Sequence, residues 1–160
     1  MQPSIPDVTL LEELGRGPGS VVYRALHRGR NCSVKLPSDR PDVRASYTQA
    51  SFEQDVLALA RLGRWGMPHV LQLGATAETA YAILGESQGE PLSQRLSRPI
   101  SESDVLRLIR KLACSLAQLH AAGFVHGDLS LQNVLVAGPG FDISLADRGT
   151  WISFQNKGDL

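Results

Sequence analysis

The chain has 160 residues, 42% of them hydrophobic, enough for one globular unit or two small lobes that bury roughly 70% of the unfolded surface. Sixteen basic and sixteen acidic side chains cancel, so no net field recommends nucleic acid, an anionic membrane or an acidic partner. Cys32 and Cys114 stand far apart in apolar stretches, without zinc-site spacing or the dense, even set of a secreted scaffold, which points to reduced thiols in a cytosolic protein.

The opening Met1-Gln2-Pro3-Ser4-Ile5-Pro6-Asp7 has neither the basic residues nor the apolar run of a signal peptide. No segment approaches the roughly 18 apolar residues of a membrane span, so the chain reads as soluble and cytoplasmic. Val8 to Glu13, Ser20 to Leu26 and Asn31 to Leu36 are β-rich runs separated by glycine turns, which predicts an antiparallel meander. Between Asp42 and Leu62 the apolar positions Phe52, Val56, Leu59 and Leu62 recur at helical spacing, with Gly63 as the stop. Val70 to Leu73 and Ala80 to Leu84 are short strands, and Gly85 to Pro91 is too polar and broken to continue them, which predicts a hinge.

Ser101, with Asp104 three residues on, resembles a capping box. Val105, Leu108, Ile109, Leu112, Leu116 and Leu119 then mark one face of a helix ending near Gly123. Asn133 to Ala137 and Phe141 to Ala146 form a hairpin around Gly138-Pro139-Gly140, whose ends carry Asn133 and Asp147.

Five features bear on chemistry. Gly15-Arg16-Gly17-Pro18-Gly19-Ser20-Val21-Val22-Tyr23 lies between two strands, where glycines let backbone N–H groups approach an anion; a plain turn has the same composition. Lys35 sits inside the apolar run Cys32 to Leu36, so a strand holds its ammonium. Asp55, beside the apolar face of the following helix, is a counter-charge for it. In His126-Gly127-Asp128-Leu129-Ser130-Leu131-Gln132-Asn133 an acid and an amide stand five residues apart on a short loop. The carboxylate can accept a hydroxyl proton and the amide oxygen can ligate Mg²⁺. Asp147-Arg148-Gly149 closes the hairpin that Asn133 opens, supplying a second oxygen ligand.

In this order, glycine loop, strand lysine, helix acid, His-x-Asp-x-x-x-x-Asn and Asp-x-Gly, the features resemble the protein kinase signature set over about positions 9 to 150. The resemblance implies an α+β, two-lobed fold: an antiparallel N-lobe sheet with one helix in 1–86, and a hinge with an incomplete helical C-lobe in 87–160. It implies that Gly15, Gly17 and Ser20 cover the ATP phosphates and that Val22, Ser33 and Leu135 sandwich the adenine. The hinge backbone around Leu84 and Glu86 would bond the adenine edge, and Lys35, held by Asp55, would bind the α- and β-phosphates. Asp128 would be the catalytic base, Asn133 and Asp147 the Mg²⁺ ligands, and a serine or threonine hydroxyl of a protein the acceptor.

Some positions depart from that family. Ser20 replaces the third glycine, Asp55 the helix glutamate, Gly127 the arginine of His-Arg-Asp, Ser130 a lysine, and Arg148 the phenylalanine of Asp-Phe-Gly. His-Gly-Asp also resembles small-molecule phosphotransferases such as aminoglycoside and choline kinases. Only Thr150 to Leu160 follow Gly149, so the expectation is a truncated domain with an uncovered apolar face on its long helix, met by further domains or a partner. A nucleotide-binding pseudokinase that acts as an interaction module is the rival from another class.

Overall fold

The computed structural model describes residues 3–17, 19–38, 49–62, 68–146 and 152–153. Those up to Arg61 and from His69 to Glu86 form one compact unit, and those from Ser87 to Ala146 form most of a second. No helix among the described residues is long and apolar enough to cross a membrane.

The first unit is an antiparallel sheet in the order β1-β2-β3-β5-β4. Its strands are β1 (Val8–Arg16), β2 (Ser20–His27), β3 (Arg30–Pro37), β4 (Val70–Ala75) and β5 (Ala80–Gly85). Because side chains alternate across a pleat, the sheet carries two cores. Val21, Ala25, Cys32, Val34, Leu36, Tyr81 and Ile83 pack on one face together with Ile5. On the other, Ala80, Ala82 and Leu84 pack against Phe52 and Val56 of α1 (Gln49–Leu62). The helix expected over 42–62 is therefore present from Gln49; positions 39–48 lie outside the described residues.

The second unit contains β6 (Glu90–Pro91), α2 (Leu92–Arg95), α3 (Glu102–Ala121), β7 (Phe124–Val125), β8 (Val134–Ala137), β9 (Asp142–Leu145) and β10 (Ile152–Ser153). β8 pairs with β9 and with β6, and β7 with β10, all antiparallel. The stretch read as a plain hinge thus contributes a short strand, β6. Gly89 makes this possible: its φ is +110° and an added Cβ would lie 2.6 Å from the Val136 carbonyl oxygen, an approach only glycine tolerates.

α3 starts as its sequence predicts. The Ser101 hydroxyl accepts from the Asp104 N–H at 3.2 Å and donates to the Asp104 carboxylate at 2.8 Å. The helix ends at Ala122, followed by Gly123 with φ +84°. Leu108, Ser115 and Leu119 are its buried stripe. Ile109, expected on that face, is instead 56% exposed, because one residue turns it about 100° from Leu108. The Lys111 ammonium donates to the Gly140 carbonyl and to the Asp142 carboxylate, both at 2.7 Å, and so clamps the β8–β9 hairpin to α3.

Candidate active site

In the first unit, strand register brings several of the candidate residues onto one face. Gly15 lies opposite Val22, Val22 opposite Lys35, and Lys35 opposite Ala82, while Ser33 faces Leu84. Directly opposed residues of antiparallel strands project from the same face. Gly15, Val22, Ser33, Lys35 and Leu84 therefore share the face on which α1 packs. Val22 is fully buried and Lys35 only 3% exposed, so the ammonium is held inside the fold.

α1 brings Asp55 to the same side of the sheet, at 9% exposure. Glu53 turns elsewhere and accepts a 2.9 Å bond from the Gln49 side-chain amide. On α1, then, Asp55 is buried and Glu53 is engaged with Gln49. Glu86 is exposed just after β5, and the Gly85 N–H is taken by the His69 carbonyl at 2.7 Å.

The glycine loop is a closed hairpin end. The Gly17 N–H donates to the Ser20 carbonyl at 2.9 Å, and the Ser38 N–H donates to the Gly19 carbonyl at 2.9 Å. Ser20 begins β2 and is 3% exposed. The Gly17 N–H is thereby committed within the protein.

The second unit carries the acid and the amide. The loop between β7 and β8 starts at His126, 3% exposed, and turns at Gly127 with φ +75°. A side chain is strained at that φ, which accounts physically for glycine between the histidine and the aspartate. Asp128 is exposed and Asn133 is 3% exposed. The Asn133 side-chain Nδ2 donates to the Asp128 carbonyl at 2.8 Å and to Asp128 Oδ2 at 2.7 Å.

Two oxygens around one end of the amide fix which end is nitrogen. With both hydrogens engaged, Asn133 Oδ1 is left as an acceptor. A hard oxygen donor beside a carboxylate is the chemistry Mg²⁺ selects, so these residues fit that ion.

Several contacts hold the loop. The Asn133 and Val134 N–H groups both donate to the Ser130 carbonyl, at 3.1 and 3.2 Å, and the Ser93 N–H of α2 donates to the Leu131 carbonyl at 3.0 Å. The Ala146 N–H donates to the Asn133 carbonyl at 2.8 Å. The hairpin therefore returns the chain to Asn133 one residue before Asp147, which, with Arg148 and Gly149, lies outside the described residues. Leu135 is half-buried on β8, pointing away from the inward Val134 and Val136. The α2 tether and the Lys111 clamp were not read from the sequence. No local pattern connects Lys111 to partners about thirty residues away.

The model of the protein kinase domain family matches residues 8–159. The chain belongs to the protein kinase family. Similar curated proteins include CBL-interacting protein kinase 4 of Oryza sativa subsp. japonica, 32% identical over 158 residues, covering 92% of this chain and 34% of that protein. Serine/threonine-protein kinase mos of Xenopus laevis is 32% identical over 153 residues, covering 89% of this chain and 41% of that protein. A solved structure described as the PpkA-294 apo form superimposes with a TM-score of 0.62 at 24% identity, over 92% of this chain and 60% of that one. At that identity it shows the fold: an antiparallel N-lobe sheet with a helix and part of a helical C-lobe. This kinase-family chain spans under half the length of these curated relatives.

Proposed function

We propose that the chain is the nucleotide-binding and catalytic-loop portion of a serine/threonine protein kinase, transferring the γ-phosphate of ATP to a protein hydroxyl. The observation that carries this reading is the Asp128–Asn133 pair: an exposed carboxylate held by a buried amide at 2.7 Å, the same amide donating to the Asp128 backbone carbonyl at 2.8 Å. An accessible, oriented base and a neighbouring oxygen ligand are what phosphoryl transfer asks of a protein.

In the proposal Asp128 takes the proton of the acceptor hydroxyl as its oxygen attacks the γ-phosphorus, and the bond from that phosphorus to the ADP oxygen breaks. Lys35, buried on β3, is assigned the α- and β-phosphates, and Asp55 its orientation. Gly15, Gly17 and Ser20 are assigned to cover the phosphates, Val22, Ser33 and Leu135 the adenine faces, and the backbone by Leu84 and Glu86 its edge. Asn133 and Asp147 would hold Mg²⁺, which when bound neutralises phosphate charge. The acceptor class follows the serine/threonine kinases among the relatives.

A second reading, nucleotide binding without transfer, is favoured by two observations. The helix acid is an aspartate, about 1.5 Å shorter in reach than glutamate, and the Gly17 N–H is bonded to Ser20.

The test is Mg²⁺-dependent ATP binding by calorimetry alongside γ-phosphate transfer from labelled ATP, with Lys35→Ala, Asp128→Asn and Asn133→Ala. Asp128→Asn is expected to keep nucleotide affinity and lose about 10²- to 10⁴-fold in transfer. Undiminished transfer in that variant rejects Asp128 as base. ATP binding with no transfer by the unmodified chain selects the second reading.

A further inference from the structure

The zero net charge of the chain conceals a local imbalance in the second unit. A groove of about 640 Å³ runs between α3 and β9, lined along the helix by Arg107, Arg110, Lys111 and Cys114 and across from it by Asp142 and Ile143. Its far end is at Gln118. From Arg107 to Gln118 is three helical turns, roughly 16 Å. That matches about five residues of extended chain at ~3.3 Å each.

The lining has three cations against one carboxylate. Arg107 is paired with Asp104 at 2.9 Å and Lys111 with Asp142 at 2.7 Å. Arg110 has no ion pair among the described residues. Like charges three or four positions apart on a helix repel by a few tenths of a kcal/mol, so the Arg110 guanidinium, one turn from Arg107 and with no carboxylate of its own, favours an incoming anion. Beyond the cations, Cys114 and the buried Ile143 give the groove an apolar stretch. A small inorganic anion would use only one end. An acidic residue followed by an apolar one uses both.

We infer that this groove is a docking site for an extended acidic segment of a partner protein, its carboxylate on Arg110 and its next apolar side chain against Cys114 and Ile143. The site uses none of the residues of the catalytic loop and stands whether or not the chain transfers phosphate.

The test uses the full chain and a fluorescein-labelled peptide, Gly-Glu-Leu-Glu-Glu-Leu-Gly, with a control in which glutamine replaces each glutamate. The acidic peptide is expected to bind with a Kd on the order of 10 µM that weakens with added salt, and the control at least about tenfold more weakly. Arg110→Glu, a change at an exposed position, should cost the acidic peptide at least about tenfold, since like charges then meet. A second readout is independent of affinity. Cys114 is exposed and Cys32 buried, so maleimide labelling reports on the groove, and saturating peptide should slow it in the unmodified chain.

Equal binding of acidic and control peptides, or Arg110→Glu binding as tightly as the unmodified chain, overturns the proposal. Unprotected Cys114 at saturation also overturns it, because the peptide is then elsewhere. Displacement of the peptide by an equal or lower concentration of a single-stranded oligonucleotide overturns it in favour of a nucleic-acid surface.

Discussion

Replacing Asn133 with aspartate changes almost nothing in shape and inverts the hydrogen bonding. In the native chain Nδ2 donates to two oxygens of Asp128, at 2.8 and 2.7 Å. One bond is to a carbonyl, with a net contribution of about 1 kcal/mol, and one to a carboxylate, about 1.5–3 kcal/mol. Asn133→Asp removes both donors and sets a carboxylate against a carboxylate. At 2.7 Å and an effective dielectric near 20 the bare repulsion is about 6 kcal/mol. Asp128 is exposed, so solvent and a rotation of its side chain relieve much of that, and a net loss of about 3 kcal/mol is expected at about pH 7.5.

The pH dependence has a definite sign. Burial at position 133 and the adjacent charge both raise the introduced carboxyl's folded-state pKa above its unfolded value of about 3.9. The deficit therefore develops as pH rises through the folded-state value and shrinks as pH falls toward about 5. Thermal melts of Asn133→Asp, Asn133→Ala and Asp128→Asn/Asn133→Asp, each referred to the unmodified chain at both pH values, measure it. Asn133→Asp should lose about 6–12 °C near neutrality and recover part of it on acidification. Asn133→Ala should show a loss without that recovery. The double variant, which puts a donor back between the two side chains, should regain at least half. An Asn133→Asp chain as stable as the native one at about pH 7.5, or equally destabilised at both pH values, would refute the assigned amide orientation.

Phe52→Ala empties the contact between α1 and β5, where Phe52 is fully buried; a loss of about 3–5 kcal/mol in urea unfolding is expected, and a loss under 1 kcal/mol would mean the helix is not anchored there. Gly89→Ala and Gly138→Ala form a matched pair, since both glycines have positive φ but only Gly89 has backbone within reach of a Cβ. The first should cost about 2–3 kcal/mol and the second about 1 kcal/mol in chemical denaturation, and equal costs would show that contact with Val136 does not matter.

The parts of the fold legible in the sequence are those long enough to show a period. β1 to β5 stand out because apolar alternation is punctuated by glycines, and α3 because Ser101 marks its start and its apolar residues repeat over twenty positions. β6, β7 and α2 span two to four residues, too few for a period, and their existence depends on pairing with distant chain. Ile109 stays exposed because a helix with one packed side buries a narrower stripe than its apolar residues mark out. Motif spacing singles out Lys35, Asp128 and Asn133, the first buried on β3 and the other two joined on the loop between β7 and β8. That Val22, Ser33 and Lys35 share a face is a matter of register, legible once the strands are paired. The closed Gly17–Ser20 hairpin was not legible, because glycine permits both an open and a closed turn.

The proposed pairing of Asp55 with Lys35 requires α1 to lie close to the sheet, and the packing there favours that. The sheet face under α1 is floored by Ala80 and Ala82, with Phe52 and Val56 of the helix against them, and Ala82 is the cross-strand neighbour of Lys35. Alanines at the contact let a helix lie closer to a sheet than larger residues do, the adjustment a carboxylate about 1.5 Å shorter requires. Burying Lys35 and Asp55 to 3% and 9% exposure would cost several kcal/mol for each charge left uncompensated. A marginally stable fold retains such residues only where they engage partners, so the burial of an acid and a base on one side of the sheet argues that α1 is placed to bring them together.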